Sequence, residues 1–263
     1  MCTVVVLSRP GHAWPVMLAA NRDEQLDRPW DPPAAWWPGI TGGRDRTAGG
    51  TWMALNRHGV ACCVLNRQGS LGPAPGKRSR GELPLLALAE PDLAAAARAI
   101  VALDAGQWRS FNLVLASAEG AVFVRGLGHG RPDASPLPEG VSMVTAFDPN
   151  DRMSPRVARH LPRFEAAAPP DADGWAGWRA VLADTGGTDV QQINVRPRGG
   201  FGTVCSALLA LPAEGAPHWL FAPGRPDVAA FDAVAMRHDV ARTQPPSAGG
   251  RGAETREAGG VRR

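Results

Sequence analysis

Lysine is almost missing from this 263-residue chain: Lys77 is the only one, and arginine carries the remaining positive charge. The formal charge of +3 resides in the tail, where Arg242, Arg251, Arg256, Arg262 and Arg263 stand against Glu254 and Glu257, so the body is near neutral. The basic pI therefore gives no reason to expect a nucleic-acid face. Cysteine is scarce as well. Cys2, Cys62, Cys63 and Cys205 show no CxxC spacing, and no secretory n-region and h-region precede them, which reads as a reducing, cytoplasmic setting. The six histidines form no HExxH or comparable pair, so no metal site is expected. No apolar stretch approaches the roughly 18 residues that suggest a membrane span. The glycine pairs at 42–43 and 49–50 are not followed by GK[ST] and read as turns, not as a phosphate cradle.

What is present begins at the second residue. Cys2 opens the apolar run Cys2-Thr3-Val4-Val5-Val6-Leu7 directly behind Met1. Removal of Met1, favoured by a small next side chain, would leave thiol and α-amine on one residue, and an amine with a pKa of about 7.7–8.0 can take the thiol proton near neutrality. The alternative is an inert thiol packed in an edge strand. Residues 16–20 form a second apolar run ending in Asn21-Arg22-Asp23-Glu24, and the Ser8-Arg9-Pro10-Gly11 turn would fold it back on the first. That hairpin brings a guanidinium and two carboxylates toward Cys2, where Arg22 favours thiolate and Asp23 favours ammonium. A solvated turn is the competing reading of the same four residues.

The rest of the chain reads as blocks of strands and helices. Residues 51–56 and 60–66 form a second hairpin turning at Arg57-His58-Gly59, with Cys62 and Cys63 on opposite faces. The connection 29–50, with Trp30, Trp36 and Trp37, reads equally as a lid over a pocket or as cover for a core. Ser79-Arg80-Gly81-Glu82 fits a capping box ahead of a helix at 83–89, and Pro91 fits the first position of a helix over 92–103. Strands are expected at 111–117, 121–125, 141–146, 202–211 and 218–222, and helices at 153–168 and 174–183. This α+β order argues for mostly antiparallel sheets, and two sheets between two helical layers would bury these runs. One domain over 1–241 is expected, followed by a disordered Gly/Ala/Arg-rich tail over 242–263.

The motifs Met1-Cys2-Thr3, Asn21-Arg22-Asp23-Glu24, Arg28-Pro29, Gly43-Arg44-Asp45, Gly49-Gly50-Thr51-Trp52, Asn66-Arg67 and Arg80-Gly81-Glu82-Leu83, in that order, resemble the NRDE family, also called the transport and Golgi organisation protein 2 family. Gly202-Thr203 and Ser206 match more loosely. That family is similar in turn to N-terminal-nucleophile hydrolases of the choloylglycine hydrolase and penicillin V acylase type. The resemblance implies a four-layer αββα sandwich and a hydrolase-like protein acting on a non-peptide amide bond of a small molecule, with no cofactor required. It places Cys2, Arg22, Asp23 and Asn66 in catalysis, Asn66 as an oxyanion donor. The other motif positions Asn21, Glu24 and Trp52 are the expected substrate contacts. Two departures stand out: Ala146 replaces a second asparagine donor, leaving Asn150 or a backbone amide to substitute, and Val204 replaces an arginine. The second function class implied is haem handling, with Cys2, His12 and His58 as the available ligands.

Overall fold

The computed structural model describes residues 2–171 and 174–236, so the tail lies outside the described residues. Thirteen strands and four helices occur among them. β1 (Thr3–Ser8) and β2 (Val16–Gln25) form the first hairpin, and β3 (Trp30–Trp37), β4 (Ile40–Asp45), β5 (Met53–Asn56) and β6 (Ala61–Asn66) follow. Then come α1 (Leu83–Leu88), α2 (Leu93–Val101), β7 (Phe111–Ser117), β8 (Gly120–Gly126), β9 (Asp133–Pro136) and β10 (Gly140–Val144). The chain continues through α3 (Pro155–Ala166), α4 (Ala176–Leu182), β11 (Phe201–Leu211), β12 (His218–Ala222) and β13 (Asp232–Ala233).

Two antiparallel sheets result, ordered β10-β1-β2-β11-β12-β13 and β3-β4-β5-β6-β7-β8-β9. Alternation along each strand sends every second side chain to the other face, and three cores follow. Val4, Val6, Leu18, Leu55, Leu65 and Leu209 pack between the sheets. Val5, Met17, Ala19 and Leu208 meet Val157, Leu161 and Trp178 of α3 and α4. Ala54, Cys62, Leu113 and Leu115 meet Leu83, Ala87 and Ile100 of α1 and α2. The layers therefore run helix, sheet, sheet, helix, which is the expected αββα sandwich. Cys62 faces the α1/α2 layer and Cys63 the inter-sheet core. Each Val, Leu, Ile or Met side chain taken fully out of water in these cores contributes about 1.5–3 kcal/mol.

Several local expectations differ from what the chain does. Asn21 to Glu24 are not a solvated turn: β2 runs through them, and Asn21, Arg22 and Asp23 are buried. The 29–50 connection is the β3–β4 hairpin at the edge of the second sheet, and the cover reading fits two of its tryptophans: Trp30 packs on the inter-sheet core, edge-on to Trp52 at 5.8 Å, and Trp37 packs on the α1/α2 core. Pro91 precedes the helix it was expected to open, because Asp92 is the N-cap and accepts from the Ala95 N–H at 2.7 Å. Ser79 caps a 3₁₀ turn at Arg80–Glu82, accepting from the Gly81 N–H, while Glu82 pairs with Arg78 at 2.6 Å instead of closing the box.

Candidate active site

Register places the site. Thr3 pairs with Asn21, so Cys2 stands one position beyond, beside Arg22, at the open end of the first hairpin. Side-chain alternation then divides the motif. Thr3, Asn21 and Asp23 face the α3/α4 layer, whereas Cys2 and Arg22 face the space between the sheets. The Cys2 Sγ lies 3.7 Å from the Asp23 carbonyl oxygen, so it is the backbone of Asp23, not its carboxylate, that meets the thiol.

Three polar residues of the run, Asn21, Arg22 and Asp23, are fixed by partners far away in sequence. Asp23 Oδ1 accepts from the Thr203 hydroxyl at 2.6 Å, and its Oδ2 accepts from Arg156 Nη1 at 2.9 Å. The same Arg156 nitrogen donates to Thr3 Oγ1 at 3.0 Å. Asn21 donates to the carbonyls of Leu182 and Ile193 and accepts from Ser206 at 2.6 Å, which commits its side chain to tying the sheet to the helical layer rather than to a substrate. Arg22 Nη2 binds Asp45 at 3.2 Å, and its guanidinium lies 4.0 Å from the centre of the Trp52 ring. Its Nη1 is buried without a hydrogen-bond partner among the described residues. Glu24 lies 3.8 Å from Arg22 and 3.7 Å from Arg28, and Arg28 binds Asp45 at 2.7 Å. Thr203 and Ser206, the loosely matched C-terminal motif, are thus the partners of Asp23 and Asn21.

Burial, and then the Asp23 carboxylate, push the Cys2 thiol above its ordinary value, while the hydrogen bond to the Asp23 backbone and the charge of Arg22 pull the other way. Arg22 does favour thiolate, as expected from the sequence, but burial outweighs it. The other thiols are pushed up by burial first: Cys63 and Cys205 to about 12, and Cys62 well above the ordinary value. All four cysteines are free, and only Cys2 is not fully buried.

Cys2 opens onto a cavity of about 700 Å³, a size within the range of small-molecule sites. Arg22, Glu24, Trp52 and Asn66 line it as well. Asn66, at the end of β6, is half-buried and its side-chain amide makes no hydrogen bond among the described residues. The motif glycines let two lining residues, Trp52 and Gly81, pack close. A Cβ on Gly43 would lie 2.2 Å from the Trp52 ring, and one on Gly50 would lie 2.4 Å from the backbone of Gly81. Thr51 N–H donates to the Gly81 carbonyl at 2.9 Å, which holds the wall together. On its inter-sheet side Cys2 also lines a void of about 20 Å³ with Met53, Cys63 and Cys205.

Other expected contributors are not brought here. Asn150, at φ 59°, accepts from the Met143 N–H at 2.7 Å and fastens β10, so it does not take the place of the missing asparagine donor. Ala146 offers only backbone, and its carbonyl accepts from Gln68 N–H at 3.0 Å. Val204 is the extra residue of a bulge in β11 between Thr203 and Cys205 and packs in the inter-sheet core. His12 sits in the β1–β2 turn and His58 in the β5–β6 turn, both exposed and both at the strand ends opposite Cys2 and Asn66. No haem ligand pair with Cys2 is assembled from them. Among the described residues there is no cluster of three or more metal-ligating side chains, and no helix is long and apolar enough to cross a membrane. Arg156 went unforeseen. Ser154-Pro155 marks a helix start and so places Arg156 in the first turn of α3, but nothing local says that this turn abuts β2.

The family model described as Transport and Golgi organisation 2 matches residues 1–150. No curated protein matches the chain. Among solved structures, a Caenorhabditis elegans N-acylethanolamine-hydrolyzing acid amidase (NAAA) ortholog is similar with a TM-score of 0.56 at 12% identity, over 79% of this chain and 92% of that one. Penicillin V acylase from Agrobacterium tumefaciens is similar with a TM-score of 0.51 at 15% identity, over 85% of this chain and 83% of that one. These likenesses bear out the sandwich of the N-terminal-nucleophile hydrolase type.

Proposed function

The chain belongs to the Transport and Golgi organisation 2 family, and from that premise we propose that it is a cysteine amidohydrolase cleaving a non-peptide C–N bond, with Cys2 as the N-terminal nucleophile once Met1 is removed. The observation that carries this reading is the placement of Cys2, the least buried thiol of the chain, in the wall of a cavity of about 700 Å³ beside Arg22. Burial keeps the sulfur protonated near neutrality, so attack requires a base within reach, and the α-amine freed on the same residue supplies one.

Cys2 Sγ attacks the amide carbon while its proton passes to the α-amine and on to the leaving nitrogen. The C–N bond breaks and a thioester remains. A water, giving its proton to the same amine, attacks the thioester carbon, releases the acid and returns the proton to sulfur. Charge that develops on the carbonyl oxygen needs fixed donors. Asn66, with its unengaged amide, and Arg22, whose buried Nη1 has no hydrogen-bond partner among the described residues, both line the cavity, which supports their taking that role.

The test uses protein with a native N-terminus. Intact mass should show loss of Met1, limited iodoacetamide should label Cys2 ahead of the three buried thiols, and an acyl-amide panel should yield a product that Cys2→Ser abolishes. Asn66→Ala should lower turnover by about two to three powers of ten with the fold intact. Full retention of Met1, or a panel without any Cys2-dependent product, overturns the proposal.

A further inference from the structure

Beyond the reacting centre, the cavity has one wall with unusual electrostatics. Its lining includes six cations, Arg22, Arg28, Lys77, Arg78, Arg80 and Arg109, against three carboxylates, Asp23, Glu24 and Asp45. Half of the cations are neutralised nearby: Arg22 and Arg28 share Asp45, and Arg78 pairs with Glu82. The other three have only uncharged partners among the described residues. Arg80 donates to the Ser70 carbonyl at 2.6 Å, the Ser110 carbonyl at 3.2 Å and the Gly72 carbonyl at 3.2 Å. Arg109 donates to the carbonyls of Leu71 at 2.7 Å and Gly69 at 2.8 Å, and Lys77 donates to that of Gly106. Carbonyls satisfy geometry but leave the net charge standing. In a chain whose body is nearly neutral and which has a single lysine, three cations without an ion pair among the described residues gather on the lining of one cavity.

Resting on the amidohydrolase reading, we propose that the substrate is an amide bearing an anionic group, a carboxylate or an isosteric oxyanion, held by Lys77, Arg80 and Arg109 while the amide carbon reaches Cys2. Burial, and then the neighbouring Arg109, depress Arg80 to about 10 against the weaker upward pull of Cys2 and Glu24, the direction expected of a cation that would gain from a further anion. The surrounding loop is shaped around these groups. Arg80 and Arg109 both donate to carbonyls between Gly69 and Gly72, so they are preorganised rather than free to swing away.

Binding and turnover are separated by using Cys2→Ala protein and two probes of equal shape, N-octanoylglycine and the neutral N-octanoylglycinamide, in calorimetric titrations. The anionic probe should bind about tenfold more tightly at low salt, the scale of one charge-assisted hydrogen bond, and the difference should shrink in 0.3 M salt. Lys77→Gln, at an exposed position, should reduce the discrimination severalfold, and Arg80→Gln should remove most of it. Equal affinity for the two probes, or binding of neither, overturns the anionic-substrate inference. The amidohydrolase reading fails independently, when wild-type protein gives no Cys2-dependent product from any amide, charged or neutral.

Discussion

Arg156→Met removes one of the long-range contacts that hold Asp23. Arg156 and Asp23 are 2% and 4% exposed and 2.9 Å apart, so the substitution withdraws a guanidinium from a carboxylate that remains buried. Thr203 still donates to Asp23 Oδ1, whereas Oδ2 loses the guanidinium. Breaking a buried pair on one side costs about 3–5 kcal/mol, which for a chain of this size lowers the melting temperature by roughly 6–20 °C. Urea denaturation followed by far-UV circular dichroism measures the loss. Asp23→Asn combined with Arg156→Met should be less damaging than the sum of the single changes, with a coupling energy of about 2 kcal/mol or more. Because the Asp23 backbone carbonyl meets Cys2 Sγ, iodoacetamide should label Cys2 faster in the Arg156→Met protein as the strand end loosens. A single variant within about 1 kcal/mol of wild type, with no coupling, would refute the view that this pair anchors the nucleophile strand.

Acid should unfold the protein through His160, which is fully buried and bonded to the Gln191 carbonyl at 2.8 Å. Burial first, with Arg163 and Arg159 adding to it, lowers its pKa to about 4, against the upward pull of that bond and of Asp184. A folded value below the unfolded 6.5 means that stability is fully present above pH 6.5 and is lost as pH falls toward 4, by roughly 1–3 kcal/mol. His160→Gln should flatten denaturation midpoints across that window, whereas an unchanged slope would exclude His160 as its source. The Asp184 carboxyl, held at about 2, acts only at lower pH. Gly50→Ala should destabilise by about 1–3 kcal/mol, since the new methyl meets the Gly81 backbone at 2.4 Å and neither segment is a flexible side chain. A stability equal to wild type would mean that the Gly50–Gly81 contact yields.

The parts legible in the sequence are those written locally. The apolar runs of residues 3–8 and 111–117, the glycine turns and the helix caps each depend on neighbours a few positions away, and strands β7 and β12 fall where the pattern puts them. The motif residues were legible as a set, but their roles were not. Asn21-Arg22-Asp23-Glu24 looks like a solvated turn because a strand rarely buries three polar residues in succession. It does so here because Thr203, Ser206, Asp45 and Arg156 arrive from three other elements to satisfy them. Strand β3, with two prolines and three tryptophans, lacks alternation because it is an edge strand, where the ladder tolerates missing donors.

The same long-range logic bears on the missing second asparagine donor. At the end of β10 the backbone is already occupied: the Ala146 carbonyl takes Gln68, and the Thr145 and Phe147 carbonyls take the two N–H groups of Asn112. Asn150 is spent on Met143. The segment is built to be rigid, and no side-chain amide there is left to turn toward Cys2. Polar capacity not committed to the fold belongs to two residues that do line the cavity, Asn66 and, through its Nη1, Arg22. Under the proposed chemistry, a cation in a buried setting stabilises a developing oxyanion more strongly than a neutral amide does. Arg22, carried one position from Cys2 by the hairpin register, then compensates for Ala146, and its stacking on Trp52 fixes the angle at which it does so.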